Sequence, residues 1–312
     1  MQLINGLLNV PTNFAPSAVT IGKFDGIHLG HQKLIHAMLN VANEHQLSSV
    51  LVTFDRHPDA LLNPEQCKLP LIGSSQKIAL LENLEIDQLL TLEFDHQLAA
   101  LTPQEFVLNI LVEKLHAKVV LVGEDFKFGV RGSGDVSTLH DLGQQFGFEV
   151  RVVSSAFVGG KKVSTTAIRE ALDTGNVIEA SALLGRTHTT IGAIEHGLKI
   201  GRTIGFPTAN MSRDCEGYLP LDGVYAGWLH VDGIKYPAAH SVGINETFQA
   251  VPRLVESHVL DRSDIDLYDK IVTLEYVDFI RPAAKFNGVD DLVAEINRDL
   301  DKVRGILERA NN

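Results

Sequence analysis

His28 and His31 lie three positions apart, with Gly30 between them. Two imidazoles so placed can donate hydrogen bonds to phosphate oxygens, and the glycine lets backbone come close to a ligand. The flanking elements decide whether that chemistry is available. Ser17–Ile21 is short, apolar and β-branched and predicts a strand, whereas Leu34, Ile35, Met38, Leu39 and Ala42 recur at the spacing of one helix face. The joint, Thr20-Ile21-Gly22-Lys23-Phe24-Asp25-Gly26-Ile27-His28-Leu29-Gly30-His31, is then a helix N-terminus, where free N–H groups and the positive dipole end favour an anion. A glycine turn carrying two surface histidines would use the same letters.

Three more stretches place polar or aromatic groups at the ends of expected strands. Ser48–Phe54 reads as a buried strand closed by Asp55-Arg56-His57-Pro58, in which Asp55 and His57 serve either chemistry or loop capping. Lys118–Val122 leads into Gly123-Glu124-Asp125-Phe126-Lys127-Phe128-Gly129; Phe126 and Phe128 can stack on a planar ring or tuck onto the core. Val163-Ser164-Thr165-Thr166 caps a helix whose second turn carries Arg169, so hydroxyls and a guanidinium meet one anion, or the arginine is simply solvated. Gln88–Phe94 and Glu149–Ser154 are further strands, Thr102-Pro103-Gln104-Glu105 is a capping box opening a helix through Leu115, and Ser137–Phe146 is another helix. Such alternation predicts an α/β doubly wound parallel sheet with its functional loops at one rim.

With 312 residues the chain is comfortable for two domains. After a short helix, Asn176–Leu184, the pattern changes to closely spaced strands at His188–Glu195, Gly223–Val231, Ile234–Pro237, Leu254–Leu260 and Lys270–Ile280, with Asp232-Gly233 as a hairpin turn. These predict a small antiparallel barrel and a seam near Arg186, giving domains 1–185 and 186–312. Leu292, Val293, Ile296, Leu300, Val303 and Leu307 form one stripe on a terminal helix expected to pack on the barrel. A net charge of −12 argues against a nucleic-acid surface. No apolar run approaches a membrane span and the amino terminus lacks a signal-peptide pattern, so a cytoplasmic enzyme is expected. Cys67 and Cys215 have no partners at metal spacing and read as free thiols.

The second glycine-rich segment, Gly197-Leu198-Lys199-Ile200-Gly201-Arg202-Thr203-Ile204-Gly205-Phe206-Pro207-Thr208-Ala209-Asn210, is not a Walker A loop because no Gly-Lys-Ser/Thr ends it. Spaced glycines can still wrap phosphates, and Thr208 and Asn210 offer oxygen ligands of the kind Mg²⁺ prefers. A glycine-rich barrel loop without a ligand is the plainer alternative.

The first motif resembles the nucleotidyltransferases marked by His-x-Gly-His, and the longer Gly-x-Phe-Asp-Gly-x-His-x-Gly-His is similar to their FAD synthetase branch. Thr53-Phe54-Asp55-Arg56-His57-Pro58 and Val122-Gly123-Glu124-Asp125-Phe126-Lys127-Phe128-Gly129 fit that branch, and Ser164-Thr165-Thr166-Ala167-Ile168-Arg169 resembles its Ser-Ser-Thr-x-x-Arg motif. Residues 197–210 resemble the riboflavin kinase signature at every fixed position, so the chain is identified as a member of the bacterial bifunctional riboflavin kinase and FAD synthetase family. The resemblance implies ATP, riboflavin and FMN as substrates, with Mg²⁺. It implies His28, His31 and Arg169 as catalytic groups of adenylyl transfer, with Gly22, Phe24, Asp25, Gly26, Gly30, Asp55, His57, Gly123, Asp125, Phe126, Phe128, Ser164, Thr165 and Thr166 binding nucleotide or flavin. For the kinase it implies Glu256 as general base, Gly197, Gly201, Arg202, Gly205 and Pro207 around the substrates, and Thr208 and Asn210 on the metal. Two positions depart from the family pattern: Glu246 replaces a usual proline and Asp269 a usual glycine, which puts loop closure over the flavin in question. Oligomeric state stays open.

Overall fold

The computed structural model describes residues 1–196, 201, 204–243, 253–262 and 264–310. Two compact units divide it: Met1–Pro70 with Lys77–Val163, and Leu71–Gln76 with Ser164–Asn312.

The first unit is built on six parallel strands: β1 (Gln2–Asn5), β2 (Ser17–Ile21), β3 (Ser48–Phe54), β4 (Gln88–Leu92), β5 (Ala117–Gly123) and β6 (Glu149–Val153), in the order β1-β4-β3-β2-β5-β6. Every residue of β2 is buried, as in a strand covered on both faces, and its apolar run has no polar alternation for the same reason. The chain first spreads from β2 through β3 to β4, then returns to β5 on the other side of β2. That reversal makes the carboxyl ends of β2 and β5 the topological switch point, the usual ligand position in a sheet of this kind. Helix Leu29–His45 follows β2 and buries Leu34, Ile35, Met38, Val41 and Ala42. The Thr102 capping box forms, with Pro103 in the first turn and reciprocal Thr102 and Glu105 bonds. Beyond Phe106, however, the helix widens into a π-type stretch, Val107–Val112, in which Glu113 N–H donates to Leu108 and Leu115 N–H to Ile110. The wider turn seats Val107, Ile110, Leu111 and Leu115 in one apolar core.

The second unit contains a closed antiparallel barrel. Passing over the two-residue strands β7 (Phe157–Val158) and β8 (Lys161–Lys162) of the first unit, its strands are β9 (His188–Glu195), β10 (Ala209–Met211), β11 (Gly223–Val231), β12 (Ile234–Gly243), β13 (Leu254–Val259) and β14 (Ile271–Pro282), in the order β10-β13-β12-β11-β14-β9. Asp232 and Gly233 both take positive φ between β11 and β12, as a two-residue hairpin requires. Strand β10 was not expected. Its three residues overlap the end of the glycine-rich signature, too short to show a period, yet they bridge β9 and β13 and close the barrel. Ile296, Leu300, Val303 and Leu307 of helix Val289–Ala310 pack on Ala226, Trp228 and Leu260, and Arg281 clamps the helix by donating to Asp299 at 2.9 Å.

By packing alone, the chain divides at Val163/Ser164. Helices Thr165–Asp173 and Val177–Leu184 belong with the barrel because Leu221 N–H donates to the Leu172 carbonyl at 2.8 Å and Tyr218 Oη–H to Asp173 at 2.7 Å. Leu71–Gln76 belongs there as well: the Glu216 carboxylate accepts from Ser75 N–H and Oγ–H and from Gln76 N–H, and the Gln76 amide donates to Thr189. Both cysteines are free thiols.

The barrel interior holds two buried imidazoles. His240 contacts Ser257 Oγ at 2.8 Å and the Glu275 carbonyl at 3.1 Å, and His188 contacts the Tyr218 carbonyl at 2.7 Å. Burial pushes both down from 6.5 to about 4. Unfolded, they bind protons below pH 6.5 that the folded barrel refuses, so their stabilisation is complete above that pH and falls on acidification toward pH 4. Each imidazole is worth on the order of 3 kcal/mol across the whole window. Trp228, the sole tryptophan, is a barrel residue, so urea unfolding followed by its fluorescence should show a falling midpoint between pH 6.5 and 5. Replacing either histidine by glutamine should flatten that slope; an unchanged slope would assign it to other groups.

Candidate functional site

In the first unit the expected phosphate corner is built as a helix cap. His28 takes an extended backbone, and its Nδ1 accepts the His31 N–H at 3.2 Å, which makes it the N-cap of Leu29–His45. The two imidazoles stack with ring centres 3.7 Å apart and planes 12° apart. Gly30 permits this, since a Cβ there would sit 3.1–3.2 Å from the His28 ring. Asp25 is buried, and Gly26 turns with φ 82°. Phe24 is fully buried against His31, so its ring offers no face to a ligand; any contact it makes with one is through backbone.

A lysine that the sequence did not single out joins this corner. Lys77 Nζ donates to the Lys23 carbonyl at 3.1 Å and lies within Coulomb reach of Asp25; burial pulls its pKa below the ordinary lysine value against the pull of that carboxylate. Lys23 Nζ in turn lies 2.9 Å from His57 Nε2. No local signal marks Lys77, because only the fold brings its helix to the β2 turn.

Asp55 and His57 have partners both on their own loop and on neighbouring segments. Asp55 accepts from Phe94 N–H and from Arg56, and although burial draws its carboxyl upward, these donors hold it below the ordinary range. His57 caps helix Pro58–Leu62 through the Asp59 N–H. At the end of β5, Phe128 is a core side chain packed on Phe106, while Phe126, stacked on Phe128 at 5.4 Å, is only partly buried. Gly123 ends the strand, and the exposed Asp125 pairs with Lys162 at 3.1 Å. Of the aromatic pair, then, Phe128 serves the core and Phe126 keeps a face available.

Ser164, Thr165, Thr166 and Arg169 lie in the second compact unit. Ser164 Oγ caps Thr165–Asp173 by accepting from Ala167 N–H at 3.2 Å, and Arg169 is buried within electrostatic reach of Tyr218.

At the barrel, Gly197 and Arg202 lie outside the described residues, as does the Glu246 departure. Gly201 anchors the turn: its carbonyl accepts from Phe206 N–H at 2.8 Å, and a Cβ there would lie 2.3 Å from the Phe206 carbonyl. Gly205 takes φ 92°. The Pro207 carbonyl is bonded to His258 Nδ1 at 2.8 Å, a support the sequence did not reveal. Asn210 pairs in register with Glu256, whose Oε2 accepts from Thr208 Oγ–H at 3.4 Å. A hydroxyl, an amide and a carboxylate thus face one another across β10 and β13. This donor set fits Mg²⁺, which binds oxygen and leaves much of its shell to water and phosphate. Asp269 holds φ 61°, so the left-handed backbone a glycine would take is kept by an aspartate, a residue that tolerates it.

The family model for FAD synthetase matches residues 10–167, and that for riboflavin kinase matches residues 184–307. A bifunctional riboflavin kinase/FMN adenylyltransferase of Haemophilus influenzae is 34% identical over 308 residues, 98% of this chain and 99% of its own. The chain belongs to the bifunctional riboflavin kinase/FMN adenylyltransferase family. Relatives of that name in Buchnera aphidicola and Escherichia coli are each 34% identical over 303 residues, covering 96% of both chains. A crystal structure described as a macrolide-efflux protein from Streptococcus pneumoniae superposes with a TM-score of 0.87 at 32% identity, covering 97% of this chain and 99% of that one. Among the described residues no helix is long and apolar enough to cross a membrane.

Proposed function

We propose that this family member divides its two ATP-dependent reactions between residues 186–312, which phosphorylate riboflavin to FMN, and residues 1–185, which join FMN to the AMP part of ATP and release pyrophosphate. Two family matches, over residues 10–167 and then 184–307, support this reading above all. In the kinase half, Glu256 takes the proton from the ribityl 5′-hydroxyl as it attacks the γ-phosphate. Thr208 and Asn210 would hold Mg²⁺, which would offset phosphate charge when bound, and Gly197, Gly201, Arg202, Gly205 and Pro207 bind the substrates. In the adenylylating half the FMN phosphate is itself the nucleophile, so the protein's task is positioning and charge neutralisation. His28, His31 and Arg169 supply it. Ser164, Thr165 and Thr166 bind phosphate, and the partly buried Phe126 meets the flavin.

The chain works on small molecules in the cytoplasm. Incubating it with riboflavin, ATP and Mg²⁺ should yield FMN and then FAD on chromatography. Quenched flavin fluorescence with no FMN formed would instead make the kinase half a binding module.

A further inference from the structure

Phe24 is the fully buried residue of the β2 turn whose ring lies 5.1 Å from that of His31, tilted by 58°. Its backbone is left-handed, φ 47°, as is that of the equally buried Ile27, φ 39°. Bulky residues avoid this region because Cβ crowds the carbonyl, and they stay there only where surrounding packing imposes it. In this turn the conformation drives the Phe24 ring inward, beneath His31, instead of letting it turn to solvent. Gly22 leaves room for it, since a Cβ there would lie 3.2–3.5 Å from the Phe24 ring. His31 is therefore bounded on two sides, by the His28 ring at 3.7 Å and by Phe24, while its own N–H is bonded to His28.

We infer that Phe24 is a positioning residue for adenylyl transfer: it sets the orientation of His31, and through the stacked ring that of His28, without touching substrate. A smaller side chain removes one of the two walls that hold the His31 ring and relaxes the left-handed turn, and a donor displaced by about an ångström loses much of its effect on rate. The inference rests on the reading of His31 as a phosphate-facing group.

The test is a double-mutant cycle in the full chain, with Phe24→Leu, His31→Ala and the pair, measuring kcat and KM for FAD formation from FMN and ATP. Phe24→Leu should lower kcat at least tenfold, with both KM values within about threefold of the parent. In the His31→Ala background it should change kcat less than twofold. Gly22→Ala, which crowds the ring without emptying the site, should reproduce this pattern and serves if Phe24→Leu does not fold. Parental kcat in Phe24→Leu, or a loss that multiplies in full with that of His31→Ala, would reduce Phe24 to a core residue. If His31→Ala alone kept parental kcat, the phosphate reading of His31 would fall and take this inference with it, an outcome distinguishable from failure at Phe24.

Discussion

Alanine at His28 or His31 is expected to lower FAD formation from FMN by about 10²-fold or more, the usual cost of one preorganised donor, while the same chain still makes FMN from riboflavin at the parental rate. Attack by the FMN phosphate on the α-phosphate of ATP builds negative charge on oxygens that no protein nucleophile shares, so rate follows how well fixed donors meet that charge. The stacked imidazoles lie at the amino end of Leu29–His45, where the helix dipole acts in the same direction. The kinase residues Asn210 and Glu256 lie on barrel strands, and Thr208 directly precedes one of them, so none should respond. His28 needs one control, because its ring also accepts the His31 N–H as helix cap, and losing a cap costs about 1 kcal/mol. His28→Asn keeps a capping oxygen without an imidazole, so it should melt with the parent and still lose rate. Parental FAD synthesis in both alanine variants would end the phosphate role of this motif.

What could be read from the sequence was local. The β2 strand, the helix after it, the Thr102 capping box and the Asp232-Gly233 hairpin each carry their signal within a few residues, and each stands where that signal put it. The barrel and its terminal helix were also legible, because alternating strands and a 3.6-residue stripe persist over long stretches. What escaped depends on partners distant in sequence. Strand β10 exists because β9 and β13 need a bridge, and the Ser164–Leu184 helices join the barrel through bonds to Tyr218 and Leu221. The same division runs through the site. His28, Gly30 and His31 announce themselves by spacing, whereas Lys77 reaches the Lys23 carbonyl only after folding, and nothing in the letters separates Phe128 in the core from its partly open neighbour Phe126.

In the second unit, Glu256→Gln is expected to cut riboflavin phosphorylation by about 10²- to 10⁴-fold, the range for loss of general-base assistance. FAD formation from supplied FMN should continue. The substitution is close to isosteric, and a glutamine oxygen can still accept from Thr208 Oγ–H, so the turn that carries Pro207 and Thr208 keeps its support from His258. What disappears is a basic carboxylate able to receive the proton of the ribityl hydroxyl. The loss should therefore appear in kcat, with riboflavin still quenched on binding. Thr208→Ala should behave differently: it removes an oxygen assigned to Mg²⁺, so raising the Mg²⁺ concentration should recover part of its activity and none of that lost in Glu256→Gln. Full turnover in Glu256→Gln would make the carboxylate a barrel-strand residue. Loss of riboflavin quenching with kcat preserved at saturation would make it a binding group.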